Sequence, residues 1–167
     1  TSLYSKNEYP TLSKALEQNG HYSLTIMGNQ AYYWNQKEMN MAYDIDTLIS
    51  RENLNDEEII GMGISDKSLF KQTSEILSKL KSPFYAQIIT LSSHDGIDFN
   101  NSEDVGDKDY KIKNDINNYL KAINYTDDAL RLFLEELKEK KLFEKSVILI
   151  VGDHEGVNTR DVMKSNL

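Results

Sequence analysis

Phe84-Tyr85-Ala86-Gln87-Ile88-Ile89-Thr90-Leu91 is a nearly continuous run of aromatic, β-branched and aliphatic side chains, and Pro83 stands directly before it. Such a run predicts a strand buried on both faces, the kind a parallel sheet uses. Its surroundings decide the fold. Upstream, Ser65 or Asp66 can cap a helix running to about Leu80, with Leu69, Phe70, Thr73, Ile76, Leu77 and Leu80 on one side. Downstream, residues 92–112 are polar and rich in Asp, Asn and Gly, which predicts a loop. A long helix follows from about Asn114 to Lys141, with Ile116, Tyr119, Leu120, Ile123, Leu130, Phe133, Leu134 and Leu137 at helical spacing. Ser146-Val147-Ile148-Leu149-Ile150-Val151, closed by Gly152, then predicts another strand.

Towards the N-terminus the signals are shorter. Pro10-Thr11 before Leu12, Ala15 and Leu16 reads as a capped helix ending at Asn19-Gly20. Tyr22 to Met27 reads as a strand stopped by Gly28. Ala31 to Tyr43 is expected to be partly helical, and residues 44–64 irregular. The order α-β-α-α-β-α-β implies an α/β fold with a mostly parallel sheet and flanking helices.

Composition narrows the function. The 167 residues carry 19 basic and 27 acidic side chains, a net charge of −8. That field disfavours nucleic acid or an anionic membrane surface as the main partner. The absence of cysteine excludes disulfides, thiolate catalysis and Cys-type zinc sites. No apolar run approaches the roughly 20 residues of a membrane helix. Thr1-Ser2-Leu3 has neither an initiating Met nor signal-peptide character, so the chain is expected to be a piece of something longer.

Ligands of open α/β sheets gather beyond the carboxyl ends of the strands. Three polar clusters fall there: Gly28-Asn29-Gln30, Ser92-Ser93-His94-Asp95, and Gly152-Asp153-His154-Glu155-Gly156. In the last, Asp153 offers a hard oxygen and His154 a nitrogen, a pair that suits a divalent metal such as Mn²⁺ or Zn²⁺. The flanking glycines allow the sharp turn that brings both to one ion. Read locally, the same pair also fits a helix cap or a surface turn. Glu155 is expected to support the ligands rather than join them. Trp34, the single tryptophan, is either core or an indole at a pocket mouth. His21, at the opposite end of the first strand, reads as an ordinary surface residue. The acidic stretches at 56–58 and 103–109 read as solvated loops. There is no Gly-x-Ser-x-Gly elbow, no P-loop and no dinucleotide fingerprint, and Gly61-Met62-Gly63 is too weak to count.

Four segments, in order, resemble one family. Phe84 to His94 resembles the strand-and-histidine segment of lipoteichoic acid synthases and related phosphoglycerol transferases. Tyr119 to Leu130 resembles their long helix, and Ser146 to His154 their metal-binding strand. Gly28-Asn29 with Tyr33-Trp34-Asn35 fits their substrate loop. The resemblance runs from about Tyr9 to Gly156 and implies a partial sulfatase or alkaline-phosphatase-like fold. It implies an enzyme with one Mn²⁺, or another divalent metal, at the extracytoplasmic face of the cell membrane. There a threonine takes glycerol phosphate from phosphatidylglycerol and passes it to a polymer or glycolipid. By match, Asp153 and His154 are metal ligands, His94 contacts the phosphate or leaving oxygen as the catalytic residue, and Trp34 lines the substrate pocket. The implied partners are an anionic phospholipid headgroup, or a polyol-phosphate or glycolipid substrate.

The departures are specific. The family has a histidine where Met27 stands, an arginine where Gln36 stands, and an aromatic and a proline where Asp95-Gly96 stands. Each change removes a donor or adds an anion near a phosphate site. The family's threonine nucleophile and acidic metal ligand lie upstream of every matched segment. Residues 1–167 are therefore expected to form the C-terminal part of one catalytic domain, soluble, inactive alone, and completed by the remainder of that domain, whose full chain is membrane-anchored. The alternatives are a sulfatase or phosphodiesterase with another substrate, or a degenerate relative that binds envelope components without catalysis.

Overall fold

The structure of the chain, a computed structural model, describes residues 7–81, 83–94 and 114–153. Its centre is β1 (Tyr22–Met27), which is buried from Ser23 to Met27. β2 (Thr47–Ile49) and β5 (Phe84–Ile89) flank it, both parallel, giving the order β2-β1-β5. The register aligns Leu24 with Thr47 and Ala86, and Ile26 with Ile49 and Ile88. Successive strand side chains alternate faces, so these residues share one face. That face packs on α3 (Asp66–Lys79) and α4 (Asn114–Glu139) through Leu69, Phe70, Leu77, Ala129, Phe133 and Leu137, and Ile64, just before α3, joins the same core. The Phe70 and Phe133 rings stack with centroids 4.7 Å apart. Such a pair contributes about 1 kcal/mol beyond its buried area.

The helix signals are realised closely. Thr11 caps α1 (Leu12–Glu17), its side chain accepting the Lys14 N–H, and Ser65 caps α3 by accepting the Ser68 N–H. α1 is anchored by Ser13, whose hydroxyl donates to the Tyr43 carbonyl at 2.6 Å. Between Ala31 and Tyr43 a short 3₁₀ turn at Tyr33–Asn35 leads into α2 (Gln36–Ala42). No helix among the described residues is long and apolar enough to cross a membrane.

Three expectations are corrected. Residues 44–64 are not irregular: they hold β2 and a small antiparallel hairpin of β3 (Ile59–Ile60) and β4 (Gly63–Ile64). β2 is only three residues long and half-buried, too short for a periodic signal. β5 is half-buried rather than enclosed, because among the described residues it pairs with β1 on one side only and forms the edge of the sheet. The segment 146–151 joins no sheet among the described residues, and Val147, Leu149, Ile150 and Val151 are exposed, Val147 completely. Its aliphatic composition suits burial, but no strand among the described residues lies beside it to complete a ladder.

The hairpin holds the site in place. The Ile64 N–H donates to the Gly28 carbonyl at 2.9 Å, at the point where β1 ends. This approach requires glycine on both sides. A Cβ on Gly63 would lie 2.4 Å from the Gly28 oxygen, and one on Gly28 would lie 2.9 Å from the Ile64 oxygen.

Candidate functional site at the carboxyl ends of β1 and β5

From β1 the chain passes to β2 on one side, then to β5 on the other. Connections that diverge in this way open a crevice beyond the carboxyl end of the central strand. Two of the three polar clusters meet there, because β1 and β5 are parallel neighbours.

The first follows β1. Asn29 is buried, its carbonyl accepts the Arg51 N–H, and its side-chain Oδ1 accepts the Gln30 N–H. The turn that follows places Trp34 at φ 48° and Asn35 at φ 56°, two consecutive residues in the left-handed region. For a bulky side chain such as Trp this conformation is strained by about 1–2 kcal/mol. The surroundings hold it. The Tyr33 ring packs edge-on to the indole at 4.8 Å, and the Ala31 N–H donates to Glu52. The Ser50 hydroxyl, donating at 2.6 Å, holds the Glu52 carboxyl below the usual carboxylate range.

The second cluster follows β5. The Leu91 and Ser92 N–H groups both donate to Oδ1 of Asp66, at 2.9 and 3.0 Å. The Thr126 hydroxyl donates to its Oδ2, and the Asp66 N–H donates to the Ser92 hydroxyl. The His94 N–H closes the turn on the Leu91 carbonyl. The His94 ring then stacks on Trp34, with centroids 5.7 Å apart and planes inclined by 29°. Trp34 is 49% exposed, so the pair forms a wall open to solvent rather than part of the core. An indole and an imidazole placed side by side offer N–H donors and a flat apolar face to an anionic, hydroxyl-bearing ligand.

The remaining candidates fall elsewhere. Met27 is fully buried at the end of β1. Gln36 is half-buried and accepts from the Asn40 amide. His21 is half-buried at the amino-terminal end of β1, away from the crevice. Asp153 is exposed just beyond the 146–151 segment, while His154, Asp95 and Glu155 lie outside the described residues. No group of three His, Asp or Glu side chains comes together among the described residues. A divalent ion takes four or more donors, and Asp153 supplies one carboxylate, so the described residues do not by themselves make a metal site. Asp66 was legible only as a capping residue, since Asp at a helix start is common and its partners lie 25, 26 and 60 positions away.

Residues 4–158 match the sulfatase family. The chain belongs to the sulfatase family. Within it, the chain is 36% identical over 162 residues to lipoteichoic acid synthase 1 of Bacillus subtilis, covering 92% of this chain and 24% of that protein. It is 30% identical over 160 residues to the lipoteichoic acid synthase of Staphylococcus aureus, covering 94% and 25%. This sulfatase-family chain thus spans about a quarter of the length of these relatives, which are enzymes. Its fold superposes on the crystal structure of the lipoteichoic acid synthase LtaP from Listeria monocytogenes with a TM-score of 0.82 at 28% identity, over 98% of this chain and 41% of that one. The expected fold class, an α/β parallel sheet of the alkaline-phosphatase-like kind, agrees with that likeness.

Proposed function

We propose that the chain is part of a metal-dependent enzyme of the cell envelope. It moves glycerol phosphate from phosphatidylglycerol to a teichoic-acid-type polymer or glycolipid, at the extracytoplasmic face of the membrane. The observation that carries this reading is the stacking of Trp34 on His94 at the crevice beyond β1 and β5. In this reading Trp34 packs against the glycerol moiety and orients it. His94 donates a hydrogen bond to a phosphoryl oxygen or to the leaving oxygen, stabilising charge as it develops. Asp153 and His154 supply two ligands to Mn²⁺ or another divalent ion. When bound, that ion neutralises phosphate charge and lowers the pKa of the attacking hydroxyl.

The nucleophile and the other ligands come from the remainder of the catalytic domain, so residues 1–167 are inactive alone. The relatives' greater length and the exposed aliphatic segment 146–151 support this part of the reading. An apolar strand with both faces in water is unfavourable unless further strands and helices cover it. Met27 and Gln36 favour one second reading, hydrolysis or transfer of a different anionic headgroup, because neither places a cation beside a phosphate.

The test uses the complete protein with radiolabelled phosphatidylglycerol vesicles and Mn²⁺. Label passing to a glycolipid acceptor supports transfer, and release of free glycerol phosphate to water supports the second reading. Metal content unchanged in both Asp153→Ala and His154→Ala would refute the ligand assignment.

A further inference from the structure

We propose that Asp66 is the positioning residue of the site: its buried carboxyl fixes the turn after β5 and thereby sets the His94 ring against Trp34. The proposal deepens the reading of His94 given above and rests on it only for the value of that placement.

Asp66 is fully buried, and a buried carboxyl is costly unless hydrogen bonds satisfy it. Capping α3 does not explain it, because the Ser65 side chain already accepts the Ser68 N–H. Its oxygens serve other segments instead. Oδ1 takes the Leu91 and Ser92 N–H groups, and Oδ2 takes the Thr126 hydroxyl of α4. The Asp66 N–H returns a bond to the Ser92 hydroxyl, so α3 and the end of β5 are tied in both directions. Leu91 and Ser92 lie just past the last paired residue of β5, where the sheet ladder no longer fixes the backbone. The carboxyl takes over that task at the point where the chain turns. From there one further bond, His94 N–H to the Leu91 carbonyl, sets the histidine. The path from Asp66 to His94 is therefore two hydrogen-bonded steps, and it ends on the ring stack.

The chain labelled with ¹³C and ¹⁵N reports the stack directly, through cross-peaks between the Trp34 indole and the His94 imidazole and through the ring-current shift of the histidine protons. Asp66→Ala is expected to abolish the cross-peaks and move the His94 signals to their unstacked positions. Asp66→Asn retains an oxygen for both amides, and the Thr126 hydroxyl can turn to accept from the new amide, so the cross-peaks return. Leu77→Ala, three turns along α3 in the buried core, lowers the melting temperature but keeps them. Cross-peaks that persist in Asp66→Ala overturn the proposal. So does their loss in Asp66→Asn, or in Leu77→Ala. Should Asp66→Ala not fold, Thr126→Val removes one tie alone; weakened cross-peaks support the proposal and unchanged ones overturn it. These signals are read without substrate. If His94→Ala in the complete protein leaves transfer unchanged, the proposed function fails and the Asp66 tie stands.

Discussion

Gly63→Ala isolates the close approach that seats the β3–β4 hairpin on the end of β1. The new methyl carbon would stand 2.4 Å from the Gly28 carbonyl oxygen and 2.9 Å from Cδ1 of Leu91. Reaching ordinary contact, about 3.4 Å, needs the hairpin to retreat by about 1 Å from a backbone atom that cannot rotate aside. That retreat strains or breaks the Ile64 N–H bond to Gly28, worth about 1 kcal/mol. Forcing an extra methyl into a packed site adds about 1–3 kcal/mol. The total, roughly 2–4 kcal/mol, lowers the melting temperature by roughly 4–16 °C for a domain of this size. Gly20→Ala is the control: Gly20 has φ +78° but nothing within 4 Å, so only the backbone term of about 1 kcal/mol applies. Urea unfolding of both variants, followed by circular dichroism, gives the comparison. Gly63→Ala no less stable than Gly20→Ala would refute the idea that glycine is required there for closeness.

Tyr125 is buried, and that burial pushes its phenol above the ordinary 10.0. A raised pKa in the folded state favours the protonated form, so this stability is complete below about pH 10 and is lost as pH rises further. Melting curves at pH 8 and pH 11 are expected to differ less in Tyr125→Phe than in the unaltered chain; an equal difference would assign alkaline unfolding to other groups. Leu149 is 82% exposed, so Leu149→Ser changes the stability of residues 1–167 by less than about 0.5 kcal/mol. In the complete protein the same change is expected to cost about 2 kcal/mol or more, as for a buried leucine; equal effects in the two would mean that nothing covers the segment.

How much the sequence revealed depends on range. Helices with strong periodicity and caps, such as Asp66–Lys79, were legible because their signals are local. β1 and β5 were legible from composition, and with them the approach of the Gly28–Gln30 and Ser92–His94 clusters, since parallel neighbours end on the same side. β2 was hidden because three half-buried residues between Asp46 and Ser50 leave no pattern. The burial of β5 was overestimated because an aliphatic run shows what a strand suits, not how many neighbours it has. Ser146–Val151 shows the same limit more sharply. The Asp66 ties escaped notice because a buried carboxyl and a helix cap look alike until the distant amides are brought to it. The left-handed turn at Trp34 and Asn35 had no glycine to announce it.

Glycerol-phosphate transfer by the complete protein, compared with its His94→Ala and Trp34→Ala variants, tests the central claim most directly. Loss of one oxyanion-stabilising donor predicts a fall in kcat of roughly 10²–10³-fold for His94→Ala. Trp34→Ala is expected to raise KM with the bound metal retained. Unaltered kinetics in both variants would contradict the assignment of the β1–β5 crevice as the substrate site.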